Sequence, residues 1–213
     1  MNRTDLANLR RDYAGKELTK AAVASDPFVQ FSMWLDEALK SEITDANAMT
    51  IATVDAECRP SNRVVLLKGL DERGFVFFTN YESKKGSDLA ANPNVSLSFF
   101  WPQLQRQVIL YGTAEKTSSK ESESYFKTRP YESRIAAWAS QQSSVIKTRA
   151  DLEAAFDGMR ERFGKDVPLP SYWGGYRIIP DRIEFWQGRA NRLHDRLVYT
   201  LIERTWVIER LSP

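Results

Sequence analysis

The chain is poor in the residues from which many reactive centres are built. Among its 213 residues there is one cysteine, Cys58, and one histidine, His194. A single thiol excludes an intramolecular disulfide, and the pair falls short of the roughly four Cys/His-type ligands of a structural zinc, so no metal is expected. Cys58 lies in the turn-like stretch DAECRPSN with no histidine near it in sequence. It reads as a tolerated thiol of a reducing compartment rather than a nucleophile. Long apolar runs are also missing. Nothing approaches the roughly 20 apolar residues that span a bilayer, and MNRTDLANLRRDY has no apolar signal core. A cytoplasmic protein without a membrane partner is expected. Excess charge is absent too: 30 Lys and Arg against 28 Asp and Glu leave a net charge of +2. That argues against a nucleic-acid partner, so any anion site must come from local clusters of Arg and Lys. Neither GxGxxG nor GxxxxGK[ST] occurs, which removes both usual phosphate-cradling loops.

What is present is an ordinary globular composition, with 42% hydrophobic and 12% aromatic residues. TDLANLRRDY has a candidate N-cap at Thr4 and reads as a short helix at the edge of the fold, followed by the connector GKELTKAAVASDP. Residues 1–24 are expected to form a mobile segment, and 25–213 the folded domain. From Ser25, Pro27 stands near a helix start, and Phe28, Phe31, Trp34, Leu35 and Leu39 recur at helical spacing. AMTIATVD, RVVLLKGL, GFVFFTN, NVSLSFFW and RQVILYGTAEK read as five strands bounded by turn signals. SKKGSDLAANP between the third and fourth reads as a helix closed by Asn-Pro. Three helical stretches follow, SKESESYFKTR, YESRIAAWASQQS and RADLEAAFDGMRERFG. WGGYRIIP, RIEFWQG, RLHDRLVYTLI and TWVIERL are strand-like. Without regular alternation of strand and helix, the expected class is α+β, an antiparallel barrel closed by late strands in a single domain.

Three clusters point to anions. In RVVLLK, period-two alternation puts Arg63 and Lys68 on opposite faces of one strand, as two separate anion contacts or as solvated strand ends. Thr79, Ser83, Lys84 and Lys85 stand at a strand-to-helix junction, where two lysines in a first turn oppose the helix dipole unless an anion sits there. Tyr125, Arg129 and Ser133 are spaced by four across Pro130, at a helix–turn–helix junction suited to a phosphate or carboxylate. Gln107, Gln142, Ser143 and Trp186 are weaker signals. In NRLHDR, strand alternation puts Arg192, His194 and Arg196 on one face. Flanking cations should push the imidazole toward its neutral form, which both donates and accepts hydrogen bonds.

Taken together, RVVLLK, SKKG (for a more usual SRKG), RQV, YFxxRP, QSS, PxPxxWGGYR, EFWQGxxNRLHDR and the terminal ERLSP resemble the pyridoxamine 5′-phosphate oxidase family over nearly the whole chain. The resemblance implies an FMN-binding split β-barrel surrounded by helices, a homodimer with active sites at the subunit interface. It implies oxidation of pyridoxamine or pyridoxine 5′-phosphate to pyridoxal 5′-phosphate, with oxygen as acceptor and hydrogen peroxide as product. It also implies roles for individual residues. Arg63, Lys84 and Lys85 hold the FMN phosphate, helped by Thr79 and Ser143. Gln107, Gln142, Trp186 and Arg196 contact the flavin or its ribityl chain, and Val64, Val65, Leu66, Leu67, Lys68 and Phe78 complete the cofactor site. Lys68, Tyr125, Arg129 and Ser133 clamp the substrate phosphate. Arg192 and His194 meet the substrate ring at its reacting side, and Arg10 and Tyr13 lie in a segment that can fold over it. Two rival readings stay open: another flavin split-barrel enzyme such as a nicotinamide-dependent reductase, and a non-enzymatic carrier or nucleic-acid-binding barrel.

Overall fold

The computed structural model describes residues 12–213. Of the expected helix TDLANLRRDY, residues 4–11, Arg10 among them, lie outside the described residues, while Asp12 and Tyr13 are not helical. In chain order the elements are α1 (Pro27–Lys40), β1 (Ala48–Val54), β2 (Pro60–Leu66), β3 (Gly69–Asp71), β4 (Gly74–Asn80), α2 (Lys84–Ala91), β5 (Asn94–Trp101) and β6 (Arg106–Lys116). Then come α3 (Ser119–Thr128), α4 (Tyr131–Ala139), α5 (Arg149–Phe163), β7 (Trp173–Gln187), a 3₁₀ turn (Ala190–Arg192), β8 (Asp195–Ile202) and β9 (Thr205–Leu211). The sheet order is β2-β1-β5-β6-β7-β4-β3, with β8 paired to β7 and β9 to β8. The pairs β3–β4, β4–β7, β7–β8 and β8–β9 are antiparallel. The class is α+β, as expected. No helix among the described residues is long and apolar enough to cross a membrane.

The chain divides into two compact units. One holds residues 12–48, 97–111 and 181–213 of the described chain, and the other 49–96 and 112–180. The boundaries fall inside β1, β5, β6 and β7 rather than in linkers, which is why no change of composition marks them.

In the first unit, α1 starts where Asp26 Oδ1 accepts the backbone N–H groups of Phe28 (2.7 Å) and Val29 (3.3 Å), with Pro27 at the first helical position. Its apolar face buries Phe31 and Trp34, edge-on to Phe99 (4.8 Å) and Phe185 (5.2 Å). In the second unit, Phe75 and Phe77 of β4 are fully buried. A satellite core of Phe126, Ile135, Val167 and Trp173 seats α3 and α4. These two helices carry one wall of the site.

Three sequence expectations need correction. RVVLLKGL is not one strand: β2 ends at Leu66, and β3, a sixth strand in this stretch, begins at Gly69. WGGYRIIP and RIEFWQG form one strand, β7, because the fixed φ of Pro180 suits extended backbone even though it cannot donate to the ladder. NRLHDR is not a strand throughout. Asn191 (φ 57°) and Arg192 (φ 61°) are left-handed, so β8 begins only at Asp195, and Arg192, His194 and Arg196 do not share a strand face.

Candidate active site

The second unit contains a cavity of about 840 Å³. Its lining includes five cationic side chains, Arg63, Lys68, Lys84, Lys85 and Arg129, and no carboxylate. Val64, Val65, Leu66, Phe78, Thr79, Tyr125, Ser133, Gln142 and Ser143 line it as well. These fourteen lining residues were all candidates from sequence; Leu67, also a candidate, is buried and does not line the cavity. Arg63 and Lys68 were expected on opposite faces. They reach one cavity because β2 ends between them, and alternation does not carry past Leu66.

One wall is the junction of β4 and α2. Ser83 caps α2, its Oγ accepting the Gly86 N–H (3.3 Å) and donating to the Asn80 carbonyl (2.7 Å). No acidic residue occupies the first turn, which leaves Lys84 and Lys85 against the positive end of the helix. Their situations differ. Lys84 is half-exposed and ion-paired, with Nζ 2.6 Å from Asp88 and 3.4 Å from Asp55. Lys85 is buried, and its ammonium donates to Thr79 Oγ1 (2.9 Å), Ser83 Oγ (3.3 Å) and Gln142 Oε1 (3.4 Å). All three partners are neutral oxygens. Burial, and then the nearby Arg63 charge, push its pKa down to about 8. Arg63 is held by Thr53 (2.7 Å) and Ser61 (2.6 Å), with Asp88 at 3.8 Å. Asp88 is itself buried. Burial alone would raise its pKa, but hydrogen bonds from Lys84, Thr53 and Ser61 outweigh that and hold it below the usual carboxylate range.

The opposite wall comes from α3 and α4. Tyr125 stacks on Phe78 with centroids 3.9 Å apart, and Trp173 continues the parallel stack. Arg129, the C-cap of α3, lies over Trp173 at 4.6 Å. Its Nη1 is buried without a hydrogen-bond partner, and burial lowers its pKa. A buried guanidinium nitrogen with no acceptor is costly, which marks a place built for an anion. Ser133 follows one turn into α4. Pro130 breaks the helix between them, so the spacing-by-four cluster converges as the sequence implied.

The first unit carries the remaining candidates. Gln107 Nε2 donates to Ser98 Oγ (3.2 Å). Trp186 lies 4.7 Å from His194, and the Tyr13 ring meets both edge-on at 5.7 and 5.5 Å. His194 Nδ1 accepts the Arg189 backbone N–H (3.1 Å), so the neutral ring carries its proton on Nε2. The expectation that two cations press on His194 needs revision. Arg196 is neutralised by a two-point contact with Glu184, at 2.7 and 3.1 Å, and Arg192 projects as an exposed residue of the 3₁₀ turn.

Sequence reading missed the side chains that hold Arg63 and Lys84 on the first wall, Thr53, Ser61 and Asp88. Only the Lys84–Asp88 pair had a local signal, the i,i+4 spacing in KKGSD. Thr53 and Ser61 approach Arg63 through sheet pairing, which no short motif encodes. Asn80, Thr128, Pro130 and Trp173 also line the cavity.

Residues 35–163 match the pyridoxamine 5′-phosphate oxidase family, and residues 173–213 match the pyridoxine 5′-phosphate oxidase C-terminal dimerisation region. The chain is 57% identical to a pyridoxine/pyridoxamine 5′-phosphate oxidase of Burkholderia multivorans, covering 99% of this chain and all of the relative. The corresponding protein of Burkholderia mallei is 55% identical over the same span. Among solved structures, PhzG from Burkholderia lata in complex with tetrahydrophenazine-1-carboxylic acid superposes with a TM-score of 0.88 at 27% identity, covering 93% of this chain and 99% of PhzG. A pyridoxamine 5′-phosphate oxidase-related, FMN-binding protein from Nostoc punctiforme shares the fold, with a TM-score of 0.71 at 16% identity over 88% of this chain and 98% of its own.

Proposed function

The chain belongs to the pyridoxamine 5′-phosphate oxidase family, and from that premise we propose that it oxidises pyridoxamine and pyridoxine 5′-phosphate to pyridoxal 5′-phosphate with FMN as cofactor. Oxygen is the acceptor, hydrogen peroxide the product, and the amine substrate also releases ammonia. The observation that carries this reading is the cavity of five cations and no carboxylate, with two cations that no carboxylate neutralises, the buried Lys85 on one wall and on the other the half-buried Arg129, whose Nη1 is buried. Two phosphate-bearing molecules, cofactor and substrate, would satisfy both.

The residues fit the cofactor. Lys85, Arg63 and the first turn of α2 form a cradle for the FMN phosphate, with Thr79 and Ser143 adding hydroxyls. Lys84 adds a point charge, already shared with Asp88 and Asp55. Val64, Val65 and Leu66 would offer backbone groups and apolar surface to the ring system, and Gln107, Gln142, Trp186 and Arg196 further contacts. When bound, the flavin supplies the two-electron chemistry, taking up hydride from the substrate and returning the electrons to oxygen.

The protein's own contribution is placement. Arg129, Tyr125, Ser133 and Lys68 grip the substrate phosphate, and that remote binding energy fixes the position of the reacting carbon. Arg192 orients the pyridine ring. With Nδ1 engaged by Arg189, His194 presents an Nε2–H donor to the polar edge of the ring, so it acts as an orienting group rather than as a base. The working unit is a homodimer. In support, residues 173–213 match a dimerisation region, and Val64 and Leu66 on β2 are exposed apolar side chains that a second copy would cover.

Purified protein supplied with FMN should form pyridoxal 5′-phosphate from pyridoxamine 5′-phosphate only in the presence of oxygen, with one peroxide per aldehyde. Aldehyde formation that is indifferent to oxygen, or none at all, would overturn the assignment.

A further inference from the structure

We infer that Asp195 is a positioning residue: it latches the segment Tyr13–Leu18 onto the end of β7 and so holds the Tyr13 ring against His194. The inference rests on the reading of His194 as a substrate-facing group. Residues 12–18 form no helix or strand of their own, yet their backbone is bonded to residues far along the chain. Asp195 Oδ2 accepts the Leu18 N–H at 3.0 Å, while Oδ1 accepts from Arg210 Nη1 at 2.5 Å. Arg210 Nη2 in turn donates to the Leu18 carbonyl at 2.7 Å, so donor and acceptor of this residue are gripped by one ion pair. Arg189 adds a second cation to the carboxylate, with Nε 3.7 Å from Asp195 and Nη1 3.3 Å from the Gly15 carbonyl. Two more bonds close the seat, Gly15 N–H to the Gly188 carbonyl (3.2 Å) and Ala14 N–H to Gln105 Oε1 (2.9 Å).

Two glycines make the approach feasible. A Cβ on Gly15 would lie 2.1 Å from Gln187 Nε2 and 2.5 Å from the Gly188 carbonyl oxygen. A Cβ on Gly188 would lie 2.7 Å from the Tyr13 ring. The Tyr13 ring therefore rests on bare backbone, nearly perpendicular to the rings of Trp186 and His194. Burial would raise the Asp195 pKa, but the Leu18 N–H, Arg210 and Arg189 outweigh it and keep the carboxylate charged. Because Asp195 directly follows His194, the dipeptide that carries the imidazole also carries the latch. A segment held by a handful of such bonds belongs to the low-stability end of the fold, so removing the charge should release it selectively.

The test uses FMN-loaded enzyme with three variants, Asp195→Asn, Asp195→Glu and Gly15→Ala. Asp195→Asn and Gly15→Ala should each be cut by trypsin after Lys16 about tenfold faster than wild type. Each should also raise the KM for pyridoxamine 5′-phosphate about tenfold, the scale of one charge-assisted hydrogen bond, with FMN retention unchanged. Asp195→Glu should restore part of both effects, which a purely structural lesion would not do. Wild-type cleavage rates in Asp195→Asn and Gly15→Ala would overturn the latch, and so would faster cleavage with KM unchanged. If Asp195→Asn fails to fold, Gly15→Ala decides, since it leaves the carboxylate untouched. A wild-type enzyme that forms no pyridoxal 5′-phosphate would sink the functional reading alone, and the cleavage rates would still decide the latch.

Discussion

Arg129→Ala should raise the KM for pyridoxamine 5′-phosphate by about two orders of magnitude and leave FMN retention unchanged. The guanidinium has its stacking partner in Trp173 and a buried Nη1 without an acceptor, so its environment is complete only with an anion present. Loss of a two-point arginine contact with a phosphate is worth about 2.7 kcal/mol, or about a hundredfold. Arg129→Lys should recover only part of the loss, because a point charge cannot reproduce the fork or the stacking on Trp173. Steady-state kinetics with phosphorylated substrate, alongside flavin absorbance of the purified variant, separates the two sites. An unchanged KM, or an equal loss of flavin, would remove Arg129 from the substrate clamp.

Lys85→Met should act in the opposite sense, lowering FMN affinity about a hundredfold while making the flavin-free protein more stable. Two effects of one charge have different signs here. Lys85 is an ammonium buried among neutral oxygens, which costs folding energy but awaits an anion. Its folded pKa of about 8 lies below the ordinary 10.5. Between these two values the unfolded chain binds more protons than the folded chain. The stability of flavin-free wild type should therefore rise as the pH moves from 8 toward 10, whereas Lys85→Met should lack that slope. Over the same window FMN affinity should fall in wild type as the ammonium is lost. Thermal unfolding and fluorescence titration at pH 7 and pH 9 read the two slopes. Parallel slopes, or a Lys85→Met protein that retains FMN at wild-type affinity, would contradict a phosphate cradle at the start of α2.

Much of this site was legible because the signals were local. GFVFFTN, NVSLSFFW and RQVILYGTAEK coincide with β4, β5 and β6, since a short continuous apolar run in the first, alternating burial in the other two and flanking turns in all three are read within each run. The cap at Ser83 and the break at Pro130 were legible for the same reason. Where the reading failed, the cause was not local. Period two put Arg63 and Lys68 on opposite faces, but it carries no information on where β2 stops. In NRLHDR it was defeated by two consecutive left-handed residues, a conformation that asparagine favours but arginine does not. Glu184, which neutralises Arg196 beside His194, reaches it only through the β7–β8 register, and nothing within NRLHDR announces it. Lys85 and Lys84 are neighbours of one type in the sequence. Only folding makes one a buried cation among neutral oxygens and the other an exposed ion pair.

The most direct test of the account is to mix FMN-loaded protein with pyridoxamine 5′-phosphate in the absence of oxygen and follow the absorbance of the bound flavin. The predicted result is that the yellow colour bleaches with one pyridoxal 5′-phosphate formed per flavin, and returns with peroxide when oxygen is admitted. A flavin that stays oxidised with pyridoxamine 5′-phosphate, but bleaches with a reduced nicotinamide, would contradict it and make the chain a reductase on the same barrel.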